Sequence, residues 1–60
     1  MRRGPKTKQT ILDRALRLFV EQGFTETTTR DIAEACGISE GAIYRHFKSK
    51  DEIGWELFHA

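Results

Sequence analysis

The stretch from residue 37 to residue 52, GISEGAIYRHFKSKDE, holds the side chains most able to do chemistry in this sequence. A phenol, a guanidinium and an imidazole follow one another at Tyr44, Arg45 and His46, and ammonium groups follow at Lys48 and Lys50. Such groups donate hydrogen bonds to anionic oxygens, including those of phosphate. Few apolar residues separate them, which is typical of a helix that presents one face to a partner.

Catalysis and metal binding are poorly supported by the available residues. Cys36 is the only cysteine and falls on an apolar helix face, while His46 and His59 stand 13 positions apart, so no nucleophile, base and orienting group form a set. The same three residues lack the spacing of a closed metal site. We therefore expect no enzymatic activity, no metal and no cofactor.

Length and composition bound the class of protein. Sixty residues form at most one small domain, which buries only about 60% of the surface that its unfolded chain exposes. The chain is 38% hydrophobic and 32% charged, with a net charge of +1, as is typical of a folded, soluble chain. No apolar run approaches the roughly 18 residues of a membrane span. A single cysteine excludes an internal disulfide, and we expect a cytoplasmic location.

The spacing of apolar residues by three and four predicts an all-α fold. Gly23 and Gly37 are expected to end helices, and Ser39 to begin one. Capping boxes are predicted at residues 28–31 and 49–52. The predicted helices span about residues 7–22, 29–36, 40–47 and 50–60, after a basic arm at residues 1–6.

Each predicted helix has one apolar stripe that should face a common core. The expected core residues are Ile11, Leu12, Ala15, Leu18 and Phe19, then Ile32, Ala33 and Cys36, then Ile43 and Phe47, and finally Ile53, Leu57 and Ala60, with Phe24 folding back onto the first group.

Trp55 and Phe58 lie off the apolar stripe of the fourth helix. An uncovered pair of aromatic side chains favours association with another surface. We expect a following domain of a longer protein to bury them. The alternative interpretation is a small helical protein-interaction module that uses Trp55 and Phe58.

The third helix, residues 39–47, has an outward face suited to a groove. At 100° per residue, Ile43 and Phe47 point to the core. A helix fits in a DNA major groove about 12 Å wide, where small residues let its backbone approach the base edges. The outward strip consists of Gly41, Arg45 and, slightly round, Ala42, with Tyr44 and His46 on its two edges.

The segment TTTRDIAEACGISEGAIYRHFKSKDEI resembles the helix-turn-helix of tetracycline-repressor-type regulators, and the resemblance runs from about residue 7 to residue 57. It implies a DNA-binding domain of three helices plus the start of a fourth, followed by a longer helical domain that binds ligand and dimerises. Its most specific positions are Ile32, Ala33, Gly37, Ile38, Gly41, Ile43, Tyr44, His46, Phe47 and Lys50. Cys36 departs slightly, since alanine or leucine is common there.

The resemblance also implies the residues that bind DNA. Base contacts are expected from Glu40, Gly41, Ala42 and Arg45, and phosphate contacts from Tyr44, His46 and Lys50; Thr29 and Arg30 correspond to positions that contact phosphate or a base, and Ser39 joins this set at the start of the helix. Lys50 also lies in the first turn of the fourth helix, where a helix N-terminus favours an anion.

The implied function is a ligand-responsive repressor that binds a palindromic double-stranded operator as a dimer. Its expected partners are operator DNA, a second copy joined through a C-terminal domain, and an unidentified small-molecule inducer, without a membrane. Arg2 and Arg3 either reach a minor groove or form a tail that contacts nothing.

Overall fold

The computed structural model describes residues 6–59, which form four α-helices. These are α1 (Lys6–Gln22), α2 (Thr29–Cys36), α3 (Glu40–His46) and α4 (Lys50–Phe58). No strand occurs among the described residues, and the predicted all-α class is confirmed. None of these helices has both the length and the hydropathy that crossing a membrane would require.

The helix ends differ from the predicted ones by one or two residues. Lys6, assigned to the basic arm from the sequence, already belongs to α1. Phe47 has extended backbone with φ −138° and follows α3 as its C-cap. His59, with φ −123° and ψ 50°, likewise lies beyond the end of α4. Terminal turns are the least constrained part of a helix, because their last carbonyls have no intrahelical partner.

The starts of α2 and α3 follow the predicted capping. The hydroxyl of Thr28 accepts a hydrogen bond from the amide of Asp31 at 3.0 Å, and the Asp31 carboxylate accepts from the Thr28 amide at 3.1 Å. This is a complete capping box, which satisfies two amides at the helix start. The Ser39 hydroxyl accepts from the amide of Ala42 at 3.1 Å.

The capping box predicted at residues 49–52 forms only in part. The Ser49 hydroxyl accepts from the Glu52 amide at 3.4 Å. The Glu52 carboxylate, however, accepts from the amide of Lys48 at 2.8 Å and not from that of Ser49. The prediction of a full box is therefore wrong in its second half, because the extended backbone before α4 turns the amide of residue 48 toward the carboxylate.

The two glycines that were predicted to end helices adopt a left-handed backbone conformation. Gly23 has φ +93° and Gly37 has φ +72°, a region that costs other residues about 1–2 kcal/mol. After α2, the Gly37 amide donates to Glu34 O at 3.2 Å and the Ile38 amide donates to Ala33 O at 3.0 Å. These bonds satisfy the last carbonyls of α2 and turn the chain into α3.

One apolar core joins the four helices. α1 packs against α2 and α4, and α2 packs against α3. The predicted inward stripes are confirmed for the described residues, while Ala60 lies outside them. The buried core consists of Ile11, Ala15, Phe19, Ile32, Ala33, Ile43, Phe47 and Ile53, with Leu12, Leu18, Phe24, Cys36, Ile38 and Leu57 packed partly buried around it.

Thr27 is a buried residue that the sequence did not reveal. It belongs to the polar run predicted as a loop, yet its side chain is fully buried. Its hydroxyl donates to Gly23 O at 2.8 Å, with Leu18 O also near at 3.3 Å. A buried hydroxyl requires a hydrogen-bond partner. Because the hydroxyl of Thr27 bonds to carbonyls at the end of α1, it stabilises the α1–α2 connection.

Gly54 brings α4 close to the ring of Phe24. A methyl group in place of its hydrogen would lie 2.9 Å from Phe24 Cε1, closer than carbon atoms pack. Phe24 in turn lies 4.9 Å from Phe19, measured between ring centroids. The absence of a side chain at Gly54 thus lets the α1–α2 connection pack directly on α4.

Two glycine-to-alanine variants should change stability in opposite directions. In helices, alanine is favoured over glycine by about 1 kcal/mol. Gly41→Ala should raise the free energy of unfolding by up to about 1 kcal/mol, since the new methyl meets nothing closer than Ser39 Oγ at 3.8 Å. Gly54→Ala should lower it by about 1 kcal/mol, because displacing Phe24 outweighs the propensity gain. Urea titrations of both variants measure the two free energies of unfolding. Equal stabilisation by both substitutions would contradict the close packing of Phe24 against Gly54.

Candidate nucleic-acid interface

α3 is oriented as its periodicity predicts. Ile43 is buried in the core, as is Phe47 directly after the helix. Gly41, Arg45 and His46 are exposed on the other side, and Ala42 is half-buried. The small residues and the hydrogen-bonding side chains therefore lie together on one accessible surface of a short helix.

Arg45 and His46 are unengaged on this surface. Within residues 6–59, no acidic side chain forms a salt bridge with either of them. Both belong to the last turn of α3. Their donors are therefore available to an external acceptor such as a phosphate oxygen or a base edge.

The start of α2 contacts α3 through a hydrogen-bonded group of three side chains, which we call the Thr29 triad: Thr29, Glu40 and Tyr44. The Thr29 hydroxyl donates to Glu40 Oε2 at 2.7 Å and lies 2.9 Å from the Tyr44 hydroxyl. Thr29 is only 9% exposed. Its expected DNA contact stays a prediction, and the contact with α3 is one that sequence reasoning missed.

Arg30 and Ser39 are exposed beside this group. Arg30 Nε lies 3.6 Å from Glu34 Oε2 in a highly exposed pair, which contributes little to stability. Arg30 can therefore exchange Glu34 for a phosphate at small cost. Ser39 Oγ accepts the capping bond from Ala42, which leaves its hydroxyl proton for another acceptor.

Lys50 is held by the α1–α2 connection. Its ammonium donates to Phe24 O at 2.6 Å, lies 3.5 Å from Thr25 O and stands 4.3 Å from the centroid of the Phe24 ring. An ammonium has three protons, so at least one remains for a phosphate. Lysine at this position thus has a role within the chain, beyond the phosphate contact predicted for it. Phe24 and Lys50 lie 26 residues apart in the sequence, so no local pattern predicted this contact.

Cys36 behaves as a packing residue. It is half-buried against the core, with Sγ 3.9 Å from Thr10 O. Burial raises the pKa of its thiol, an effect that the nearby Arg14 only partly offsets. A raised pKa keeps the thiol protonated near neutral pH and therefore poorly nucleophilic. This agrees with the place in the core that was predicted for Cys36.

Trp55 and Phe58 remain uncovered, as predicted from their place off the stripe. They are 63% and 67% exposed. Trp55 stacks on His59 with ring centroids 4.1 Å apart. A cleft of about 380 Å³ opens beside them, and its wall includes Phe24, Gly54 and Asp51.

The predicted site residues thus fall into four groups, of which one is Arg30 and Ser39, exposed beside the Thr29 triad. The exposed ones on α3 form a single surface; Thr29 joins Glu40 and Tyr44 just behind it; and Lys50 is tied to the α1–α2 connection. Arg2 and Arg3 lie outside the described residues.

Comparison with known proteins places this arrangement among bacterial regulators. The profile of the family described as bacterial regulatory proteins, tetR family, matches residues 11–58. The chain is 51% identical over 55 residues to the HTH-type transcriptional regulator AcrR of Shigella flexneri, covering 87% of this chain and 26% of that protein. It is also 51% identical over 47 residues to the HTH-type transcriptional repressor KstR2 of Rhodococcus jostii, covering 78% of this chain and 23% of that one.

A solved structure shows the same likeness in three dimensions. The ketosteroid transcriptional regulator KstR2 of Mycobacterium tuberculosis superimposes with a TM-score of 0.84 at 38% identity, covering 97% of this chain and 29% of that one. The chain spans about a quarter of the length of these relatives. The profile match extends over most of the sequence, and the chain belongs to the tetR family of bacterial regulatory proteins.

Proposed function

We propose that this chain is the DNA-binding domain of a transcriptional regulator and that α3 is its recognition helix. The observation that carries the proposal is the exposed surface of α3, where Gly41 permits close approach and the donors of Arg45 and His46 are unengaged within residues 6–59. Family membership supports it, since the relatives are named as transcriptional regulators and a repressor, not as enzymes.

Base edges and phosphates are contacted by different residues in this proposal. Small residues and Arg45 face the floor of the major groove, whereas side chains at the edges of α3 reach the phosphates on its two walls. The base-reading residues are Glu40, Gly41, Ala42 and Arg45, and the phosphate-binding residues are Ser39, Tyr44, His46 and Lys50. Thr29 and Arg30, at the start of α2, contact phosphate or a base.

The regulator acts, in this proposal, as a ligand-responsive cytoplasmic repressor that binds a pseudo-palindromic operator as a homodimer. Half-sites of such dimers lie one helical turn apart, roughly 34–36 Å. The proposal includes a C-terminal domain that dimerises and binds a small-molecule inducer, and the relatives are long enough to hold a further domain, since this chain covers about a quarter of their length. Alone, one module neutralises few phosphates and should bind DNA in the non-specific range of roughly 10⁻⁴–10⁻⁶ M.

A helical protein-interaction module is the second candidate function. It is favoured by the exposure of Trp55 and Phe58 beside an apolar cleft. Salt distinguishes the two functions, because phosphate binding weakens linearly in a plot of log K against log salt, whereas apolar docking does not.

Selection from a random pool of duplexes, followed by sequencing, tests the DNA-binding proposal directly. The full-length regulator should select a two-fold symmetric site, and the 60-residue chain should bind the same half-site more weakly. Selected sequences without two-fold symmetry at any spacing would exclude the dimer. Binding that is indifferent to salt would favour the interaction module.

Lys50→Met should weaken binding to all duplexes by a similar factor. The substitution removes the ammonium, which stands 4.3 Å from the centroid of the Phe24 ring and is proposed to bind phosphate, but keeps an unbranched side chain of similar length. Because one phosphate contact is lost, the slope of log K against log salt should become shallower by about 1. Fluorescence anisotropy at several salt concentrations measures this slope.

Folding must be checked in the same experiment, since Lys50→Met also loses the bond to Phe24 O. A thermal unfolding curve of the variant defines the temperatures at which it is folded, and binding is measured there. An unchanged salt slope in the folded variant would mean that Lys50 serves the fold alone.

A further inference from the structure

The hydrogen bonds of the Thr29 triad have only one consistent direction. A threonine hydroxyl carries a single proton, and an ionised carboxylate only accepts. The Thr29 proton therefore goes to Glu40 Oε2, at 2.7 Å, and Tyr44 must donate its own proton to Thr29 Oγ1, at 2.9 Å. The result is a relay from the phenol through the hydroxyl to the carboxylate, and it joins α2 to two turns of α3.

The relay restricts the Glu40 carboxylate. Oε2 is tied to a side chain that is itself almost fully buried at the start of α2, so the long glutamate side chain loses most of its rotational freedom. Within residues 6–59, Oε1 accepts no hydrogen bond from another side chain or from the backbone, and the residue is exposed. One acceptor is thus held in a defined place at the first residue of α3.

The position of Glu40 and the acceptor chemistry of its carboxylate suit bases that carry an exocyclic amino group. The N-terminal residues of a recognition helix are the ones that contact base edges in the major groove. A carboxylate offers only acceptors, which match the exocyclic amino groups of cytosine N4 and adenine N6. It is repelled by guanine O6 and N7 and by thymine O4, which are acceptors themselves.

We propose that Thr29 is a positioning residue for base recognition, which aims the Glu40 carboxylate at an exocyclic amino group in the major groove. The proposal rests on the proposed function and names what that site reads. Lost side-chain freedom is a large part of the cost of forming a specific contact, so a carboxylate already held in place discriminates between bases more sharply than a mobile one.

Tyr44 has a separable part in the relay. Its proton goes to Thr29 Oγ1, so Tyr44 donates to a phosphate, as proposed for it above, only when this bond is broken. Tyr44→Phe removes the hydroxyl and with it the phosphate contact proposed for Tyr44, so all duplexes should bind more weakly by a similar factor. It leaves the Thr29–Glu40 bond, so base preference at the position that Glu40 reads should survive. This variant therefore serves as a control within the same group of side chains.

The test uses the 60-residue chain and a library of duplexes randomised in sequence, with base preference measured at every position. Wild type should prefer cytosine or adenine at one position, and the base selected tells which amino group is read. Glu40→Gln should favour adenine at that position, which glutamine contacts in a bidentate manner, so a cytosine preference should change to adenine and an adenine preference should become stronger. Thr29→Val should reduce the preference there at least about fivefold while leaving other positions unchanged, the factor being the low end of what one mismatched base pair costs. Thr29→Ser keeps a hydroxyl and should restore the wild-type preference.

Each outcome decides between the proposals. If Glu40→Gln changes the preference and Thr29→Val does not, Thr29 is no positioning residue, although the DNA-binding function stands. If Thr29→Val lowers the preference at all positions together, or urea titration shows it unfolded while Thr29→Ser is also impaired, the role of Thr29 is structural and the inference fails. If neither the 60-residue chain nor the full-length regulator distinguishes between duplexes, the proposed function fails and the inference with it.

Discussion

Replacement of Phe47 by alanine is expected to leave most of the chain unfolded at 25 °C. Phe47 is 1% exposed at the end of α3 and is the largest fully buried side chain among residues 6–59. Truncation of a buried phenylalanine costs about 3–5 kcal/mol. A core of this size supplies only about 3–5 kcal/mol in total, so the variant should retain little stability. Far-UV circular dichroism with urea titration measures the loss of helix.

Phe58→Ala is the matched control for that variant. The same atoms are removed from a side chain that is 67% exposed and touches the core only at its margin, 6.4 Å from Phe19 between ring centroids. Surface substitutions usually change stability by about 0.5 kcal/mol or less, and the control should unfold near the wild-type midpoint. Equal destabilisation by both variants would mean that the core extends to Phe58 and that Phe47 is not central to it.

Arg45→Ala is expected to relax base preference at one or two positions of the preferred site. Arg45 is exposed on the outward surface of α3, without a salt-bridge partner among residues 6–59. If it contacts a guanine through two hydrogen bonds, its loss should cost about 1–3 kcal/mol on the preferred duplex and much less on others. Competition among single-base variants of the selected site, repeated at several salt concentrations, measures the change.

Arg17→Ala provides the control for charge. Arg17 is exposed on α1, where it lies 3.9 Å from Asp13, and its removal lowers the net charge by the same amount. It should weaken all duplexes slightly and leave their ranking unchanged. If Arg45→Ala weakens binding to all duplexes equally, as the control does, Arg45 contacts phosphate. The helix α3 would then be tilted differently in the groove, and Ala42 would contact the bases instead.

The local structure of this protein could be predicted from its sequence in some detail. Thr28, Ser39 and Ser49 begin helices, and Gly23 and Gly37 end them, because each signal acts through backbone groups a few residues away. The 3.6-residue period likewise identified the buried stripes, since residues on one helix face must share one environment. The orientation of α3, with Arg45 and His46 outward, followed from the same period.

The contacts between helices were decided only in the folded chain. Thr29 meets Tyr44 across 15 residues, and Lys50 meets Phe24 across 26, with no spacing in the sequence that relates either pair. The requirement for glycine at residue 54 could not be predicted from the sequence either. It arises because the ring of Phe24 packs so closely on α4 that no side chain fits at this position. Periodicity assigns a residue to a face of its own helix but carries no information on which atom of another element that face will meet. That depends on the angles at which α1, α2, α3 and α4 pack, and those angles are set by the shared core as a whole.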